Sequence, residues 1–339
     1  MHARQRIRVA LLALVATAIV ASGCGGDSDE SGGAGGGGKV NLIAYSTPQE
    51  AYAQLTKDFA ETDEGEGVKF TESYGPSGDQ SRAVEGGQPA DYVGFSLEPD
   101  MTRLVKAGIV AEDWNKDEHK GMVTESVVVL VVRKGNPKKI EGWNDLTEDG
   151  IEVVTPNPFT SGGARWNVMA AYGSQIDQGK SPEEAEQFLH DLFANVVVQD
   201  DSARKSLQTF SGGKGDVLLG YENEAIFAQQ QGEDIDYIVP DETLLIENPA
   251  AVTENAKNPE AAKAFLDYVR TPEGQAIFVK NGYRPVADGV EGADEFPTPE
   301  SLSTIEDFGG WTEVMAKFFD PKGSVMVDVE RGIGVQVES

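Results

Sequence analysis

Residues 126–132 read SVVVLVV, an apolar run without alternation. That is the pattern of a strand buried on both faces of a sheet. Shorter apolar stretches close at Tyr45, Tyr74, Val154, Val198 and Leu219. Behind the first of them, Tyr52, Leu55 and Phe59 recur at helical spacing and put one apolar face on a helix over residues 49–61. Similar periodicity predicts helices over residues 99–107, 164–176, 182–193, 222–231, 259–268 and 272–281. Ser181-Pro182-Glu183-Glu184 is a helix start in full: a cap, a proline at the first position, then acids. Strands alternating with helices predict an α/β fold. No internal repeat is visible.

The turns between these strands and helices share one layout. After Tyr45 come Ser46-Thr47-Pro48-Gln49-Glu50, and after Tyr74 come Gly75-Pro76-Ser77-Gly78-Asp79. After Val154 the chain reads TPNPFTSGGARWN, with Thr160, Ser161, Gly162 and Gly163 just ahead of a helix. Asp200-Asp201-Ser202-Ala203-Arg204 and Gly220-Tyr221-Glu222-Asn223-Glu224 complete the set. A helix N-terminus leaves backbone N–H groups unpaired at the positive end of its dipole. Glycine, lacking a Cβ, lets a ligand approach that backbone closely. Five such turns converging would make an anion pocket. The plainer alternative is that Ser, Thr and Asp are ordinary helix caps and the glycines serve turn geometry alone.

The first forty residues tell a separate story. Arg4, Arg6 and Arg8 precede an apolar run over residues 9–20, and Ala21-Ser22-Gly23-Cys24 follows. This is the pattern of a secretory signal peptide, residues 1–23. The run falls short of the ~20 residues that span a membrane. Cys24 sits at the expected cleavage point and is the only cysteine of the chain, so it resembles a lipobox cysteine, acylated at the new N-terminus. The alternative is an ordinary signal with an incidental cysteine. No intrachain disulfide or cysteine metal cluster is possible. Residues 24–39, largely Gly, Ser and acids, read as a flexible tether with a reach on the order of 20 Å.

Charge narrows the functions. The formal net charge is −29, and loss of Arg4, Arg6 and Arg8 with the signal takes it to −32. So acidic a chain is a poor partner for nucleic acid. Its long-range field repels an anionic ligand, but salt screens that field over about 8 Å, whereas hydrogen bonds act at contact. Ser161 is not in a Gly-x-Ser-x-Gly elbow, and neither His119 nor His190 neighbours a hydroxyl-rich turn in sequence. Ser211-Gly212-Gly213-Lys214 lacks the form of a phosphate loop, and no EF-hand spacing occurs. The reading is a binding protein, not an enzyme, needing no cofactor and no metal. A secreted enzyme or an adhesion lipoprotein on the same fold is the rival from another class.

The wording of the turns carries a resemblance. Tyr45, Pro48 and Glu50; Gly75, Ser77, Gly78 and Gln80; Val132-Arg133-Lys134-Gly135-Asn136-Pro137; Thr155-Pro156-Asn157-Pro158 with residues 160–167; Glu222-Asn223-Glu224; and Phe308-Gly309-Gly310-Trp311 are similar to sulfate-binding proteins, the extracytoplasmic receptors of sulfate ABC importers. The likeness runs over roughly residues 40–326. It implies a two-lobed periplasmic-binding-protein-like fold (type II), with the ligand cleft between lobes. Lobe 1 would comprise residues 40–123 and 244–297, lobe 2 residues 124–243, and residues 298–339 a C-terminal helical segment using Trp311, Val314, Phe318 and Phe319. It implies a monomer, exported across the cytoplasmic membrane, anchored to its outer face by lipid and delivering sulfate to an ABC permease.

The implied ligand contacts are Ser46, Ser77, Ser161, Gly162, Gly163, Ala203 and Tyr221. Two of these depart from the family: Ser46 stands where it has aspartate, and Tyr221 where it has tryptophan. A phenol donates or accepts where an indole only donates. Thiosulfate, molybdate and phosphate therefore stay open beside sulfate. Paired tyrosines, as in ferric receptors, are present as Tyr45, Tyr74 and Tyr221. Arg165 either lines the cleft or pairs with an acid to hold its turn.

Overall fold

Residues 37–337 are described by a computed structural model, so the signal peptide, Cys24 and most of the tether lie outside the described residues. The chain runs β1 (Lys39–Tyr45), α1 (Gln49–Phe59), β2 (Lys69–Gly75), α2 (Ser77–Glu85), β3 (Tyr92–Gly94), α3 (Glu98–Lys106) and β4 (Met122–Arg133). It continues through β5 (Val153–Pro156), α4 (Gly162–Asp177), α5 (Pro182–Ala194), β6 (Val196–Asp200), α6 (Ala203–Ser211), β7 (Val217–Tyr221), α7 (Glu222–Gln230) and β8 (Ile235–Ile238). Then come β9 (Glu242–Val252), α8 (Pro259–Val269), α9 (Pro272–Lys280), β10 (Ser301–Ser303), α10 (Gly310–Phe318) and α11 (Val325–Gly332). The α/β expectation holds.

Strand order is β2-β1-β3-β9-β4-β7-β5-β6. At one end β1 pairs in parallel with β2 and β3; at the other, β5 pairs in parallel with β6 and β7. The antiparallel strands β4 and β9 join the two ends. Ser126 and Val127 of β4 face Ile246 and Leu245 of β9. From Val128 onward β4 pairs with β7 instead, while Ala250, Ala251 and Val252 of β9 pair with β3. Each long strand thus leaves one sheet and enters the other.

The unbroken apolar run of β4 is explained by its neighbours. Val128, Leu130 and Val132 point into a core with Trp143, Trp166, Met169 and Leu189. Val127, Val129 and Val131 point into a second core with Leu207, Phe210 and Leu218. At the other end, Val40, Leu42 and Ala44 of β1 pack on Tyr52, Leu55 and Phe265, whereas Ile43 packs with Phe95, Met101 and Leu104. Helix α5 starts as its sequence dictates: the Glu184 N–H donates to Ser181 Oγ at 3.2 Å and the Ser181 N–H to Glu184 Oε2 at 2.8 Å.

Two elements differ from the sequence reading. Helix α4 opens at Gly162, two residues before Ala164, so both glycines belong to its first turn. The C-terminal segment is not wholly helical, because Ser301–Ser303 adds as a short strand beside Glu242–Leu244 of β9. Trp311, Val314, Phe318 and Phe319 are buried as expected, with Trp311 edge-on to Trp166 at 4.7 Å between centroids.

Candidate functional site

Parallel strands with helices behind them bring the strand C-terminal ends and helix N-termini to one edge. Here they line a small cavity of about 10 Å³, room for about one water molecule. Tyr45, Ser46 and Thr47 reach it from the β1–α1 turn, Pro76 and Ser77 from β2–α2, and Ser161, Gly162 and Gly163 from β5–α4. Ser202 and Ala203 arrive from β6–α6, and Tyr221 from β7–α7. All seven residues inferred from the sequence, Ser46, Ser77, Ser161, Gly162, Gly163, Ala203 and Tyr221, therefore line one space. Every residue lining it is uncharged. The first N–H groups of α2, α4 and α6 have no partner within their own helices, which is the donor set an anion needs.

A sixth turn also contributes. Ser96, between β3 and α3, lines the cavity and is buried. Its sequence, Gly94-Phe95-Ser96-Leu97, follows the same strand-hydroxyl-helix layout, but β3 is only three residues long. Ser96 Oγ lies 2.8 Å from the Tyr221 hydroxyl oxygen. Its carbonyl accepts from Trp166 Nε1 at 2.8 Å and from Asn248 Nδ2 at 2.9 Å. Its N–H donates to Ser77 Oγ at 3.0 Å.

Ser77 plays a part its type alone did not show. Its hydroxyl donates to Asp100 Oδ2 at 2.7 Å, which commits the side-chain proton away from the cavity. What Ser77 offers a ligand is its main-chain N–H, first in α2. Tyr221 is both wall and lining: it belongs to the buried core and reaches the cavity. Burial pushes its phenol well above its ordinary pKa, so it keeps its proton. The tyrosine trio is not assembled. Tyr45 and Tyr221 line the cavity, but Tyr74 donates to Glu72 Oε2 at 3.1 Å.

The glycines are held by close neighbours. A Cβ on Gly162 would lie 2.2 Å from Leu97 Cδ2 and 2.6 Å from Ser96 Oγ. One on Gly163 would meet Ala203 Cβ at 3.3 Å and Tyr221 Cε1 at 3.5 Å. Gly162 thus admits the β3–α3 turn against α4, while Gly163 keeps space beside Tyr221.

Charged groups flank the cavity without entering it. Arg165 is buried, and its Nε donates to the Pro158 carbonyl at 2.9 Å. That bond ties α4 to the turn before it, and the guanidinium faces a neighbouring pocket with Arg103, Lys106 and Trp311. Arg204, one residue past Ala203, bonds Glu50 of α1 at 2.7 and 2.9 Å, and the Thr47 carbonyl at 2.9 Å. The same guanidinium bonds Glu224 of α7 at 2.9 and 3.0 Å. Burial draws its pKa down, but Glu224 and Glu50 more than offset this and hold it above the ordinary value. Burial also raises the Glu224 carboxyl, against the pull of Arg204.

Comparison with known proteins gives a consistent result. A family profile described as bacterial extracellular solute-binding protein matches residues 40–284. A sulfate-binding protein of Synechococcus elongatus is 42% identical over 326 residues, covering 91% of each chain. A thiosulfate-binding protein of Pseudomonas aeruginosa is 32% identical over 291 residues, covering 82% of this chain and 88% of its own. Among solved structures, the sulfate-binding protein SubI from Mycobacterium tuberculosis H37Rv superposes with a TM-score of 0.81 at 42% identity, covering 83% of this chain and 99% of that one.

Proposed function

The chain belongs to the bacterial extracellular solute-binding proteins, and we propose that it is the receptor that captures sulfate, or thiosulfate, for an ABC importer. The observation that carries this reading is the uncharged cavity ringed by helix N-termini. Sulfate is a dianion without a proton, so a shell of main-chain N–H groups and hydroxyls meets its needs. Phosphate near neutrality keeps a proton and gains from a carboxylate acceptor, which this lining does not provide. Ser46, Ala203, Gly162 and Gly163 would offer backbone donors, as would Ser77, and Ser161 a hydroxyl besides. Thiosulfate replaces one oxygen by sulfur and keeps the charge and shape. The likeness to a thiosulfate-binding protein supports keeping it beside sulfate.

The lobes proposed are residues 40–123 with 244–297, and residues 124–243. Their support is the crossing of β4 and β9, which makes those strands the natural hinge. Lobes closed on the anion would form the surface that a membrane permease recognises. Among the described residues no helix is long and apolar enough to cross a membrane; attachment would come through lipid on Cys24. The role is capture and delivery by a monomer, without turnover.

Calorimetric titration of ligand-stripped protein tests this. Sulfate and thiosulfate should bind one to one, unchanged after release, with phosphate at least tenfold weaker, and tighter binding of molybdate than of either would reassign the receptor to that anion. Tight phosphate binding with none for sulfate would reassign the receptor, and no binding of any of the four would remove the reading.

A further inference from the structure

Ser96 and Tyr221 come from opposite sides of the cavity, β3–α3 and β7–α7, and their hydroxyl oxygens are 2.8 Å apart. Both side chains are fully buried. Together the two hydroxyls own two protons, and the bond between them uses one. The second proton must find an acceptor, because a buried donor left unpaired is costly. Tyr221 and Ser96 have no other side-chain partner among the described residues, and both line the cavity. The remaining proton therefore belongs to whatever fills that space. A phenol is a stronger acid than an alcohol and the better donor to an anion. The favoured order is Ser96 Oγ–H to the Tyr221 oxygen, then Tyr221 O–H to the anion, each bond polarising the next.

Resting on the sulfate reading above, we infer that Ser96 is a specificity-determining residue: by donating to Tyr221 it holds the phenol as a donor, so that this wall rejects anions that carry a proton of their own. Ser96 is well placed to hold that direction. Its carbonyl is pinned by Trp166 and Asn248, and its N–H by Ser77, so the backbone does not drift. Gly162 makes room for the hydroxyl, since a Cβ there would lie 2.6 Å from Ser96 Oγ. Without Ser96 the phenol oxygen is free to accept, and an HPO₄²⁻ ion then finds a partner for its proton.

The test is a double-mutant cycle of Ser96→Ala and Tyr221→Phe, read by calorimetry with sulfate and with inorganic phosphate. Ser96→Ala should weaken sulfate about tenfold and narrow the sulfate-to-phosphate ratio by more, while the ligand-free melting temperature stays within a few degrees. In the Tyr221→Phe background, Ser96→Ala should change neither constant further. Equal losses for both anions would mean that Ser96 only helps the two sides close, and would overturn the inference. So would additive effects in the cycle. Wild-type protein that binds no sulfate would bring down the receptor reading itself, which the single variants cannot do. If Ser96→Ala unfolds, Ser96→Cys, which keeps the volume but is a weak donor, gives the same decision with the same two anions.

Discussion

At the scale of single residues, the glycines of the Ser-Gly-Gly turn do different work. The sequence placed both against a ligand, because a turn without Cβ atoms invites close approach. The structure shows that a methyl at Gly162 first meets Leu97 and Ser96, so that substitution obstructs the packing of two turns. Gly162→Ala should weaken sulfate binding by at least tenfold, about 1.4 kcal/mol, with a native far-UV spectrum. Gly163→Ala, whose nearest contact of 3.3 Å calls for only a small adjustment, should cost less. Titrations of both variants check the order, and the reverse order would show that Gly162 is a connector only. The cavity lining was legible wherever a strand end ran into small or hydroxyl residues. Ser96 escaped because its strand is three residues long and its neighbours Phe95 and Leu97 are apolar. Its partner lies 125 positions away, and no local pattern announces such a pair. The commitment of the Ser77 hydroxyl to Asp100 was hidden for the same reason.

At the scale of elements, two contacts join parts that the proposed motion would separate or bend. Arg204 ties α6 to α1 through Glu50 and to α7 through Glu224. Arg204→Met leaves the buried Glu224 without its cation and should lower folding stability by about 3 kcal/mol. Glu50→Gln removes only the more exposed partner and should cost under about 1 kcal/mol of stability while still weakening sulfate binding. Denaturant melts alongside titrations compare the two, and a binding loss confined to Arg204→Met would show that α1 and α6 do not part. On the crossing strands, Glu125 stands opposite Glu247. Burial, then the Glu247 charge, pushes the Glu125 carboxyl up to about 7, against the pull of Arg284. A folded-state pKa raised above the unfolded value of about 4.3 means that the folded form binds more protons. Stability from this group is present at low pH and is lost as pH rises through about 7. Wild type should therefore lose more melting temperature between about pH 5 and pH 8 than Glu125→Gln, and parallel curves would remove Glu125 as the source. Most helices were legible from their apolar spacing and caps. Strand order was not, because pairing such as β3 with β9 depends on contacts far apart in sequence.

At the scale of the whole molecule, a net charge of −29 sits beside a cavity of uncharged lining that we propose takes an anion. The two coexist because the field is screened over about 8 Å while the donors act at contact. Raising salt should therefore speed association more than it changes release. Cys24 and the tether lie outside the described residues, and their role is tested in cells. Cys24→Ser should move the protein from the membrane fraction into solution, and a variant still bound to membrane would point to another anchor. The uncharged lining has one more consequence. None of the residues lining the cavity carries a group poised to gain or lose a proton between about pH 5 and pH 9, and sulfate itself brings none. The lining itself should exchange no hydrogen ion on capture: with Glu125 of the crossing strands replaced by Gln, the heat of binding should be the same in buffers of widely different ionisation enthalpy.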